Sequence, residues 1–462
     1  MKSIYILLLF LSGFTTAAIA QLQVFHNGEK VSFLGNSITM GGAFHNYIEL
    51  YYLTRFPKEE VKFYNNGISG DVSGGMLSRL KADVLVNKPD WCVVMAGMND
   101  VSRGLYAEKF NQDKDVIQRR KEALEKYFRN MDSLVNRLME AGIKVILQTP
   151  TIYDQTANSS TENYIGVNDA LGQCAVFIRS LGEKYKLPIV DYWSAMNSVN
   201  ALVQKTNPAA SIIGRDRVHP GTYGHFLMAF EFLKTQKAPA YIAKIGINAK
   251  KRKIEQSLQG KAELINCSSQ ELTFTWEEEA LPFPAISEVL NPDSLFPFSQ
   301  YLNNEILQIK SLKKGKYIVY IDSVEVGKYT SKELKEGINL ALNKCTPQNI
   351  QSVKVLTLLQ EYWKFERRLR QVKFVDYQLL PIGVKNDPTF FDVNLKRRTD
   401  KIIGLLKDRP EDELRYYRRN LDEYIVNKPR VKEMEDEAEL IYQKVQLANK
   451  PMKHIYSIVA VK

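Results

Sequence analysis

From Lys30 to about Lys237 the chain alternates strand-like and helix-like segments, and that alternation limits its fold more than any other feature. The strand-like runs are Val31–Leu34, Val61–Asn65, Trp91–Met95, Lys144–Gln148 and Pro188–Asp191. Each is short, apolar and bounded by turn residues. Between them lie helical patterns. A helix is expected from Ala43 to Arg55, and the clearest pattern sets Ala123, Leu124, Tyr127, Phe128, Met131, Leu134, Val135 and Leu138 along one face. Such alternation predicts an α/β fold: a parallel sheet of five strands with helices on both faces. Ligands of such sheets bind beyond the carboxyl ends of the strands, so the residues that follow each strand carry the functional argument.

After the first strand comes Gly35-Asn36-Ser37-Ile38, and after the second Asn65-Asn66-Gly67-Ile68-Ser69-Gly70-Asp71. Gly97-Met98-Asn99-Asp100 follows the third, and Asp216-Arg217-Val218-His219-Pro220 lies beyond the fifth. Acyl transfer to water needs a nucleophile, a base, a group that orients the base, and donors for the developing oxyanion. Ser37 supplies a hydroxyl, His219 an imidazole, and Asp216 a carboxylate three residues away in the same loop. The backbone N–H groups of Ser37 and Gly70 and the side-chain amide of Asn99 are candidate oxyanion donors. A glycine at position 70 lets its amide approach a substrate closely.

Each residue alone has a plainer reading. Ser37 fits a helix N-cap, Gly67 and Gly70 fit turns, and Asn99 fits an Asx turn. His219 fits the residue before a helix starting at Pro220, Asp216 fits a surface pair with Arg215 or Arg217, and His45 fits a structural role. It is their shared placement at strand ends that favours the catalytic reading. No GxGxxG, P-loop or GxSxG motif occurs. His26, His45, His225 and His454 do not sit at ligand spacing with cysteines or carboxylates, so neither metal nor cofactor is expected.

These four blocks resemble those of the SGNH (GDSL-type) hydrolases, a family of esterases, lipases, thioesterases and carbohydrate deacetylases. The resemblance spans about residues 25–237. It implies a flavodoxin-like three-layer sandwich, Ser37 as nucleophile, His219 with Asp216 as base pair, and Ser37, Gly70 and Asn99 as oxyanion donors. One position departs from the pattern: Asn36 stands where the family usually has Asp. The function expected is a serine esterase that removes acyl groups, with acetyl foremost, from a carbohydrate. Two alternatives remain: a lipid or thioester hydrolase using the same residues, and a glycan-binding protein without turnover.

The first twenty residues read as a cleaved signal peptide, with Lys2, the apolar run Ile4–Leu11 and Ala18-Ile19-Ala20 before Gln21. A secreted, periplasmic chain maturing near Gln21 is therefore expected. The net charge of +11 favours anionic partners, an acidic polysaccharide among them. Nucleic acid and stable membrane insertion are not expected. The four cysteines show no CxxC pair, and a Cys267–Cys345 bridge is one possibility.

The expected division is a signal peptide over 1–20, a hydrolase domain over 21–240, a small β-rich region over 241–345 and a helical C-terminal extension over 346–462. Strand-like alternation runs from Lys261 to Trp276, and Glu305–Leu312, Lys316–Ile321 and Val324–Tyr329 read as one small meander. Glu361–Phe374 and Glu411–Ala448 read as charged helices, with Pro429 opening the last. Trp276, Phe283, Phe296 and Phe298 read as core, with a sugar-stacking rim as the alternative.

Overall fold

A computed structural model describes residues 21–461 except 269, 270, 287, 288, 290, 291 and 388. The expected signal peptide lies outside the described residues. The strands are β1 (Lys30–Gly35), β2 (Lys62–Gly67), β3 (Trp91–Val94), β4 (Lys144–Gln148) and β5 (Ile189–Val190). They form one parallel sheet in the order β2-β1-β3-β4-β5. All four β3 residues are buried, as the unbroken apolar run Trp91–Val94 requires of a strand covered on both faces. The architecture is therefore the α/β sandwich expected.

Two cores flank this sheet. On one side Phe33, Val93 and Ile146 pack with the helices Ala43–Arg55 and Thr222–Thr235. On the other Leu34, Cys92, Val94 and Val145 meet the helices Lys114–Glu140 and Val167–Tyr185. Tyr127, Met131, Leu134, Val135 and Leu138 are all buried there, at the helical spacing read from the sequence.

Among the described residues the second half adds two more sheets. Tyr241–Asn248 pairs parallel with Asn304–Lys310, so that strand leaves the expected meander and joins a different sheet. Of the three strands of that meander, Lys316–Ile321 and Val324–Thr330 pair as a hairpin. Its two-residue turn is Asp322-Ser323, with φ of 47° and 69°, the left-handed pair that suits the twist of adjacent strands. The chain does not end in helix either. Lys453–Ala460 is a strand inserted between Glu271–Glu278 and Lys316–Ile321, with His454, Tyr456 and Ile458 turned inward at period two.

Long helices precede that strand: Pro347–Phe374, Glu411–Asn427 and Val431–Ala448. The first is not a free appendage. Val355, Leu356, Leu359 and Trp363 are buried in the same core as Phe33 and Phe44, and Trp363 Nε1 donates to Glu49 Oε2 at 2.6 Å. Trp276, Phe283, Phe296 and Phe298 are all buried, which removes the sugar-stacking rim. The four cysteines are free, so Cys267 and Cys345 form no bridge. Among the described residues no helix is long and apolar enough to cross a membrane.

Candidate active site

The carboxyl end of β1 passes through Asn36 into a single helical turn, Ser37–Met40. Asn36 is buried and its Oδ1 accepts the Ile38 N–H at 3.0 Å, capping that turn. Capping needs an oxygen acceptor and no charge, so asparagine serves at this departure from the family pattern. Gly35 must be glycine for a different reason: a Cβ there would fall 2.0 Å from Thr39 Oγ1. The Ser37 N–H opens the turn, where backbone donors lack intrahelical acceptors.

Ser37 Oγ lies 2.8 Å from His219 Nε2, and His219 Nδ1 lies 2.5 Å from Asp216 Oδ2. Hydroxyl, imidazole and carboxylate thus form one continuous chain. Asp216 Oδ1 also accepts the N–H groups of Val218 and His219, each at 3.0 Å. Burial works to raise the Asp216 carboxyl. The His219 ring and the two backbone donors outweigh it and hold the group far below the usual carboxylate range. The His219 and Asp216 side chains are 47% and 51% exposed, so the imidazole stands at an open surface.

Arg217, which sequence alone offers as a surface partner for Asp216, points the other way. It is 3% exposed, takes a left-handed φ of 63°, and donates to the carbonyls of Asp154, Ala157, Ser159 and Thr161. Asp154 N–H returns a bond to the Arg217 carbonyl at 2.9 Å. The turn bearing His219 is thereby locked to the 154–161 loop. Nothing in the sequence pattern marks Arg217 for this, because burial of an arginine depends on carbonyls supplied from elsewhere.

Gly70, on the loop after β2, has φ +75° and an exposed backbone whose N–H has no partner among the described residues. Asn99 sits in the turn five residues beyond the end of β3. Its Nδ2 donates to the Asp71 carbonyl at 2.9 Å, and its Oδ1 accepts from Arg103 Nη1 at 3.0 Å. Those two bonds fix which way the amide faces and leave one amide hydrogen free. Arg103 also borders, with Asn99, Ser102, Gly104 and Leu105, a cavity of about 310 Å³. Its charge is close enough to Asp216 for the two to interact. Sequence reasoning missed Arg103, although its place four residues after Asn99 was the available signal. His45 is buried, bonds the Thr39 carbonyl through Nε2 at 3.1 Å and stacks on Phe33, a structural position away from the open surface. Burial pulls it down to about 4, so it stays neutral.

Comparison with known proteins adds three findings. Residues 33–227 match the model of the GDSL-like lipase/acylhydrolase family. An acetylxylan esterase from Geobacillus stearothermophilus is 28% identical over 223 residues, which are 45% of this chain and 94% of that protein. A solved structure described as a gut microbial diltiazem-metabolizing enzyme superposes with a TM-score of 0.85 at 25% identity, covering 96% of this chain and 100% of that one.

Proposed function

Because residues 33–227 belong to the GDSL-like lipase/acylhydrolase family and the chain is a carboxylic-ester hydrolase, we propose that it removes O-acetyl groups from a carbohydrate through Ser37, His219 and Asp216. The observation that carries the proposal is the hydrogen-bonded chain from Ser37 Oγ through His219 to Asp216. Ser37 Oγ attacks the ester carbonyl carbon while its proton passes to His219 Nε2. The carbonyl oxygen becomes an oxyanion that accepts from Ser37 N–H, Gly70 N–H and Asn99 Nδ2. The sugar hydroxyl departs with the proton from Nε2 and leaves an acetyl-serine. Water then repeats the sequence, giving acetate and free serine. Asp216, kept ionised, stabilises the imidazolium that forms at each stage.

Two features favour an acetylated glycan. The His219 side chain is half exposed, which suits an ester carried on a bulky chain. The acetylxylan esterase matches across nearly its whole length. In the same proposal the chain is secreted, and residues 21–240 are its hydrolase unit. A second reading, a small non-sugar ester as substrate, is favoured by the superposition over 96% of the chain on the diltiazem-metabolizing enzyme. The test is product release from acetylated xylo-oligosaccharides, diltiazem and a long-chain acyl ester, each with wild type and Ser37→Ala. Acetate release from the oligosaccharides, lost in Ser37→Ala, is expected. Turnover of the long-chain ester alone would overturn the carbohydrate assignment, and turnover of diltiazem alone would establish the second reading.

A further inference from the structure

The loop that carries Gly70 leaves the edge of the sheet, since β2 has only β1 as a neighbour. Among the described residues no strand covers its outer side. The helix Pro347–Phe374 does, and it reaches the loop through one residue above all. Arg370 is 6% exposed and donates from Nε and Nη2 to the Gly67 carbonyl at 3.1 and 3.0 Å. Its Nη1 and Nη2 also donate to the Asp83 carboxylate at 2.8 and 3.0 Å.

Asp83 is shared with a second buried arginine, Arg79. Arg79 in turn donates to Asp71 Oδ2 at 2.8 Å, to the Asn66 carbonyl at 2.9 Å and to the Gly35 carbonyl at 3.2 Å. Gly35 lies two residues before Ser37, and the Asp71 carbonyl holds Asn99. Gln378 Nε2 adds a bond to Asp71 Oδ1 at 3.3 Å, and Ile68 is buried in one cluster with Val372, Phe374, Val375 and Leu379. One guanidinium from the second half of the chain is thus joined, through Asp83 and Arg79, to the Gly35 carbonyl two residues before Ser37 and to the carboxylate of Asp71, the residue that follows Gly70 and whose carbonyl holds Asn99.

Attachment of the helix does not need this network. Val355, Leu356, Leu359 and Trp363 already bury it in the main core. Buried ion pairs add little net stability, and their better-attested use is to select one arrangement. We propose that Arg370 is a positioning residue for the oxyanion donors, holding the Gly67–Asp71 loop so that the Gly70 N–H and the Asn99 amide face the carbonyl held at Ser37. This rests on the ester-hydrolase reading of those residues. Gly67 can be gripped in this way because the loop is close-packed at that point: a Cβ on Gly67 would fall 2.1 Å from the Met40 nitrogen. A loop released on its outer side carries its donors away from the oxyanion, and misplacement by about 1 Å costs on the order of 10²-fold in rate.

The test compares Arg370→Met and Arg370→Lys with wild type, Ser37→Ala and Arg367→Ala, an exposed position on the same helix. Readouts are kcat and KM for a small acetyl ester and the affinity of a trifluoromethyl ketone, whose adduct with serine carries an oxyanion. Arg370→Met is expected to lower kcat about 10- to 100-fold with KM within about two-fold, and to weaken the ketone in parallel. Arg370→Lys, which keeps the charge but cannot span Gly67 and Asp83 together, falls between, and Arg367→Ala matches wild type. A folded Arg370→Met with kcat within about two-fold of wild type, or with a loss confined to KM, overturns the proposal. If Arg370→Met does not fold, Arg370→Lys decides, and wild-type kcat there overturns it as well. Wild-type protein without turnover would instead remove the ester-hydrolase reading, and this inference with it.

Discussion

Replacing Asn99 with alanine isolates one oxyanion donor, and the structure sets the size of the effect. The Asn99 amide spends one hydrogen on the Asp71 carbonyl and has its oxygen held by Arg103. What remains for catalysis is one hydrogen, one of three proposed donors. Loss of one such donor costs about 10²–10³-fold in kcat, or ~3–4 kcal/mol at the transition state. The stability cost is smaller. Two hydrogen bonds vanish, each worth about 0.5–1.5 kcal/mol net, and Asp71 stays anchored to Arg79. Asn99→Ala should therefore fold, bind a small acetyl ester with little change in KM, and turn it over 10²–10³-fold more slowly. Steady-state kinetics beside a urea titration separates the two effects. A fall in kcat of only a few-fold in a folded variant would refute the donor role, and a rise in KM alone would place Asn99 in ground-state binding.

Further outcomes follow from the same geometry. His219→Ala removes the acceptor for the Ser37 proton, so kcat should fall by about 10²–10⁴-fold, and a folded variant within a few-fold of wild type would contradict the base. Gly70→Ala meets no atom within 4 Å of the new Cβ but must hold φ +75°, so about 1–2 kcal/mol of strain should appear as lost stability or a shifted loop, with a fall in kcat. An unchanged kcat would argue against the Gly70 N–H as donor. Stability should also decline as pH rises above the ordinary carboxyl value. Burial raises the facing carboxyls of Glu278 and Glu305, and burial together with the charge of Glu366 pushes Glu49 up to about 8. Groups raised in the folded state give stability that is complete below about 4.5 and lost as pH climbs toward 8. The urea midpoint should fall between pH 5 and pH 8, and Glu305→Gln, a neutral stand-in for the protonated acid, should flatten that fall. An equally steep fall in the variant would show that Glu305 does not contribute.

Much of the first half was legible because its signals are local. Five apolar runs read as strands are five strands, and the periodic face from Leu124 to Leu138 is buried as its spacing implies. Ser37, Gly70, Asn99, Asp216 and His219 were singled out because strand ends of one parallel sheet converge. The supporting arginines were not legible. Arg79, Arg217 and Arg370 are charged residues whose burial depends on distant carbonyls and carboxylates, and no periodicity records such partners. The second half misled for a related reason. Asn304–Lys310 alternates correctly for a strand, but its partner, Tyr241–Asn248, lies far back in the chain. The final strand, Lys453–Ala460, completes a sheet begun nearly two hundred residues earlier, at Gly260.

The central claim is that Ser37 is a nucleophile made reactive by His219. Its most direct measurement is the mass of the protein after exposure to a fluorophosphonate, with the labelled peptide mapped by fragmentation. A single adduct on Ser37, absent in Ser37→Ala and strongly slowed in His219→Ala, is the predicted result. No adduct on folded wild-type protein, or an adduct elsewhere, would contradict the account.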